Sequence, residues 1–101
     1  MQRGMKQAQE QLTERVERDP LLRGMYVRVH GEHLVLGRPD DRAPDGKTHS
    51  DDRLRLTRLG RDQWGLSVKR HTGRWERTPF SGSMSELHDV VMSFMQHLVA
   101  P

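Results

Sequence analysis

Residues 53–78, RLRLTRLGRDQWGLSVKRHTGRWERT, decide the fold. Leu54 and Leu56 alternate with Arg53, Arg55 and Thr57 until Gly60-Arg61-Asp62 breaks the pattern. Trp64, Leu66 and Val68 then alternate with Gly65, Ser67 and Lys69, and Thr72-Gly73 breaks it again before Arg74–Thr78 and Pro79. A period of two sends successive side chains to opposite faces, so the stretch reads as three half-buried strands joined by tight turns. The apolar face collects Leu54, Leu56, Leu66 and Val68, with Trp64 in the core. Arg53, Arg55, Lys69 and Arg74 are expected together on the opposite face. Trp75 is left open: a two-residue turn places it on the apolar side, and a one-residue bulge reverses it.

Working outward, residues 25–38, MYVRVHGEHLVLGR, read as a hairpin turning at Gly31-Glu32. Glycine first suits the type II′ geometry that matches strand twist. In that register Val27 and Val29 face Leu36 and Leu34, while Tyr26, Arg28, His30, His33 and Val35 take the other side. Between hairpin and meander, residues 39–52, PDDRAPDGKTHSDD, hold five aspartates, two prolines and almost nothing apolar. They read as an acidic mobile loop. Calcium binding is not expected, because the aspartate spacing lacks the alternate ligands and closing glutamate of an EF-hand loop.

Two helices flank the strands. Over residues 2–18, Met5, Ala8, Leu12 and Val16 recur at helical spacing on an otherwise polar segment, a stripe too thin to dock firmly. The pattern ends at Asp19-Pro20. At the other end, Ser83-Met84-Ser85-Glu86 is a capping box, in which the serine hydroxyl and the glutamate carboxylate each accept from an orphan backbone N–H. Met84, Leu87, Val91, Phe94, Met95 and Leu98 follow as a broad apolar stripe, with Leu87 and Phe94 at its centre and burial expected for both. The fold class is therefore α+β: one domain over residues 1–101, with a five-stranded antiparallel sheet (hairpin plus three-strand meander) and N- and C-terminal helices on one face.

Composition narrows the function classes. The chain has 101 residues, of which 33% are apolar and 31% charged, enough for one modest core. Cysteine is absent, which excludes disulfides and thiolate metal sites and fits a reducing, cytoplasmic setting. No apolar run approaches the roughly 20 residues of a membrane span, and the N-terminus lacks a secretory signal's apolar stretch, so no membrane partner is expected. The six histidines offer no metal site. His30 and His33 flank a turn without a third ligand, and His88 and His97 do not converge on a helix. Ser81 and Ser83 are better explained as turn and cap residues than as nucleophiles, and the carboxylates cluster where nothing would desolvate them. The chain reads as a non-enzyme, with no cofactor and no metal.

The segments VRVHGEHLVLGRP and RDQWGLSVKRHTGRWERTPFSGSMSELHDVV, within about residues 25–95, resemble small uncharacterised bacterial proteins. Those share a glycine hairpin, a tryptophan-led strand, a G-R/K-W turn and a closing helix. The resemblance implies the fold and no activity. A meander closed by a capped helix is also similar, in element order alone, to the PC4 and Whirly type of single-strand DNA binders.

The charge pattern supplies the functional expectation. Residues 53–77 carry eight basic side chains against two acidic ones, beside the acidic 39–52 stretch. A strip made of Arg53, Arg55, Lys69 and Arg74 can follow phosphates, so single-stranded nucleic acid is the expected ligand of a small binding module. A protein-interaction or self-association module, a homodimer through the last helix or a sheet edge, is the alternative.

Overall fold

The computed structural model describes residues 2–101. Its elements are α1 (Gln2–Arg18), β1 (Tyr26–His30), β2 (His33–Asp40), β3 (His49–Gly60), β4 (Gln63–Lys69), β5 (Trp75–Gly82), α2 (Met84–Phe94) and α3 (Gln96–Val99). The strands form one antiparallel sheet in the order β1-β2-β3-β4-β5, and every strand lies beside its neighbour in the chain. This is the expected hairpin plus meander in an α+β fold.

The core occupies one side of the sheet. Leu34, Leu36, Leu54, Leu56, Trp64 and Leu66 meet Met5, Leu12 and Val16 of α1 and Met84, Leu87 and Val91 of α2. The hairpin register is Val27↔Leu36 and Val29↔Leu34, and Gly31 adopts φ +59°, as a type II′ turn requires of its first residue. The narrow stripe of α1 docks fully, contrary to expectation: Met5, Ala8, Leu12 and Val16 are all buried. The docking gains a fixed point from the Gln9 amide, which donates to Val27 O at 2.7 Å.

A bulge corrects the loop. Leu36 pairs with Leu54, but Gly37 pairs with Asp52, so Arg53 is the extra residue. Pairing then continues through Arg38↔Asp51, Pro39↔Ser50 and Asp40↔His49, which extends both strands and leaves only residues 41–48 as loop rather than 39–52. Pro39 is tolerated because β1 ends opposite Gly37, so β2 has a single neighbour there and one ladder donor fewer is required.

At the C-terminal end the capping box forms: Ser83 Oγ accepts from Glu86 N at 3.1 Å, and the Glu86 carboxylate accepts from Ser83 N at 2.8 Å. The stripe does not continue through Phe94. The helix breaks at Met95 (φ −129°), and the chain restarts as α3 so that Met95 and Val99 enter the core. Phe94 is left 66% exposed at the end of α2, stacked on Phe80 of β5 with centroids 6.0 Å apart, whereas Leu87 is 1% exposed as expected.

Two arginines lock α3 in place. Arg38 donates from Nε to Val99 O, from Nη1 to Arg23 O and from Nη2 to Leu21 O, at 2.7–3.0 Å. Arg53 donates from Nη1 to Leu98 O and Ala100 O and pairs with Asp51. Cations on the last carbonyls of a helix satisfy acceptors that have no partner within it and complement its dipole.

Candidate nucleic-acid interface

The side of the sheet away from the helices is organised in rows by the register. One row crosses all five strands as Arg28↔Val35↔Arg55↔Ser67↔Arg77. Its arginines stand on alternate strands, about 10 Å apart at the usual strand spacing. Val35 and Ser67, between them, are 3% and 2% exposed although no helix covers this face. Long side chains burying their aliphatic stems explain that protection. A second row holds Tyr26↔Gly37↔Asp52 on one side and Lys69↔Trp75 on the other. A third holds His30↔His33↔Thr57↔Gly65↔Ser81.

Trp75 is the centre of the basic half. The β4–β5 connection closes through Arg70 N to Arg74 O and Gly73 N to Arg70 O, longer than a two-residue turn, and it sets Lys69 opposite Trp75. The indole therefore lies on the helix-free face, with the Arg55 guanidinium 4.9 Å and the Lys69 ammonium 5.6 Å from its ring centroid. Both are at cation–π distance. The Arg55 Nε is buried with no hydrogen-bond partner, so this guanidinium keeps a donor uncommitted.

Asp52 is the single acidic side chain in these rows. It accepts from the Tyr26 hydroxyl and from Arg28 Nη2 at 2.9 Å, and lies 3.8 Å from Lys69 Nζ. Burial alone would raise its carboxyl, but the bonds from Tyr26 and Arg28 and the charges of Arg28 and Lys69 prevail and hold it below the usual carboxylate value. Burial and the bond to Asp52 push the Tyr26 phenol well above its ordinary value. Asp40 and Asp45 bond locally, Asp40 to Arg42, and Asp45 to Lys47 N and His49.

Of the four basic residues expected together, the structure brings together two. Arg55 and Lys69 share the helix-free face. Arg53 does not, because the bulge turns it to the helix side, where Asp51 and the carbonyls of Leu98 and Ala100 take its donors. Arg74 lies in the connection before β5, and strand alternation gives the face to Trp75 instead. Arg28, Arg77 and Trp75 take the vacated roles. The hairpin register already put Arg28 on this side, but Arg77 and Trp75 depend on the length of the β4–β5 connection, which no residue type dictates.

His33 bonds Thr57 Oγ1 at 2.8 Å and stacks near His30, and among the described residues no three His, Cys, Asp or Glu groups gather as metal ligands. No helix among them is long and apolar enough to cross a membrane.

A family model described as "Domain of unknown function (DUF3024)" matches residues 1–97, and the chain belongs to that family. No curated protein and no solved structure matches the chain, and the element-order similarity to PC4 and Whirly binders gains no support.

Proposed function

We propose that this DUF3024 protein binds single-stranded nucleic acid on the helix-free face of its sheet. The observation that carries the reading is Trp75 flanked by Arg55 and Lys69 on a face where no helix lies. A single strand needs cations for its phosphates and a flat apolar surface for its bases. Arg28, Arg55, Lys69 and Arg77 supply the first against Asp52 alone, and Trp75 supplies the second. The acidic loop's bonds are local, which supports an uncovered face.

Fluorescence anisotropy with a labelled oligonucleotide at several salt concentrations tests this. Affinity should fall with salt along a log–log slope of about −0.7 per phosphate contacted, and Arg55→Gln or Arg77→Gln should each flatten that slope. Trp75→Ala should weaken binding by about 1–3 kcal/mol at every salt concentration. Lys6→Gln, exposed on α1, serves as the neutral control. Absence of binding at low salt, or binding indifferent to Arg55, Arg77 and Trp75, removes the proposal. The alternative, self-association, draws on one observation, the exposed Phe94 stacked on Phe80 of the edge strand. Light scattering on wild type and Phe94→Ser decides it: a dimer mass that collapses in the variant would put that reading first.

A further inference from the structure

On the opposite side of the molecule, α1 lies against β1 while α2 lies against β4 and β5, and the helix layer is open between them. The opening is a groove of about 980 Å³. Its walls carry Arg15 from α1, Arg58 and Arg61 from the end of β3 and the turn after it, and His88 from α2, and Trp64 also lines it. A volume of that order holds a small organic molecule.

The acidic groups of this groove are already engaged. Glu14 pairs with Arg18, Asp19 bonds His88 at 2.8 Å and the backbone N–H of Leu21 at 2.9 Å, and Asp62 accepts from Met84 N at 3.3 Å. Arg18 and His88 are thereby occupied, but three other cations are not. Among the described residues, none of Arg15, Arg58 and Arg61 has a carboxylate partner. Arg58 is half-buried, stacked over the Trp64 ring at 5.9 Å, and among the described residues the one side-chain acceptor that meets its guanidinium is the Met5 thioether at 3.9 Å. A guanidinium carries five N–H donors, and a thioether is a weak acceptor. Trp64 itself is 2% exposed, and its indole Nε1 is buried with no partner. Native interiors seldom leave such donors unsatisfied, because each costs its full desolvation.

We infer that this groove binds a small, multiply charged anion, phosphate- or carboxylate-bearing, with Arg58 as its anchor and Arg15 and Arg61 at its rim. Planar guanidinium groups suit both chemistries, since each presents paired acceptor oxygens. The site is separate from the sheet face and stands whether or not that face binds nucleic acid. His88 and Asp19 hold α2 to the segment that follows α1, and so set the width of the opening.

The two tryptophans allow a clean test. In a Trp75→Phe protein, emission comes from Trp64 alone, beneath Arg58. Titration with pyrophosphate and, separately, with citrate should change that emission saturably in at least one case, and the responding anion names the chemistry. In the same background, Arg61→Gln, an exposed position that the fold does not depend on, should raise the dissociation constant at least tenfold, and Arg58→Gln should raise it further. Arg55→Gln and Arg77→Gln, on the far face, should leave it unchanged. Calorimetry on the wild-type protein gives the same constants without a fluorophore. No saturable response to either anion, or one that Arg61→Gln leaves untouched, overturns the proposal.

Discussion

Gly37 is the residue on which the sheet face turns. It sits opposite both Tyr26 and Asp52, and a Cβ there would collide with the Asp51 carbonyl and the Tyr26 phenol. The missing side chain lets the Tyr26 ring cross the strand to Asp52. Gly37→Ala should therefore cost about 1–3 kcal/mol by overpacking, and Tyr26→Phe about 1.5 kcal/mol by removing a hydrogen bond to a charge. The pair also sets pH limits. Asp52 is held below its ordinary value, so its contribution is complete above about pH 4 and disappears as pH falls through the lowered value. Tyr26 is raised, so its contribution is complete below about pH 10 and disappears as pH rises through the raised value. Urea midpoints measured from pH 2 to 7 should fall less steeply in Asp52→Asn than in wild type; parallel curves would dissociate the acid limb from this carboxylate.

At the scale of elements, α2 shows what a local pattern can and cannot tell. Its cap is a matter of four adjacent residues, so Ser83 and Glu86 were legible, and Ser83→Ala should cost about 1 kcal/mol. Leu87 is deep in the core, and Leu87→Ala should cost about 2–5 kcal/mol through the cavity it leaves. Phe94→Ala should cost about 1 kcal/mol or less, chiefly the stack on Phe80, because its ring is mostly in water. Denaturant titration of the three variants ranks them directly. The break at Met95 that spares Phe94 has no proline or glycine to announce it; it follows from where Val99 must dock. The strands divide in the same way. Alternation along one strand was enough for the hairpin, for Trp64, and for Arg55 and Lys69. The bulge at Arg53 and the connection that turns Trp75 outward each depend on how two strands are counted against each other, which a single strand does not record. The groove between α1 and α2 was illegible for the same reason, since it is made by the separation of two helices.

For the molecule as a whole, two pairs of arginines that look alike in the sequence play opposite parts. On the helix side, Arg38 donates to Val99 O and to the segment after α1, and Arg53 donates to Leu98 O and Ala100 O and to Asp51. These contacts join parts of the chain up to 61 residues apart. On the open face, Arg55 and Arg77 donate to no acceptor among the described residues. Removal of a guanidinium should therefore have opposite signatures in these two pairs. Arg38→Gln leaves three carbonyls without their charged donor and loosens α3 and the α1–β1 connection together. With hydrogen bonds to charged groups at about 1.5–3 kcal/mol each, and solvent replacing part of that at the rim, a loss of about 2–4 kcal/mol is expected. Arg77→Gln should leave the denaturant midpoint where it was and act only on anion-dependent behaviour, through the salt slope of oligonucleotide binding. Paired urea titrations of Arg38→Gln and Arg77→Gln measure the contrast. Equal midpoints in the two variants would mean that the backbone contacts of Arg38 do not hold α3, and that the contrast between Arg38 and Arg77 has no energetic content.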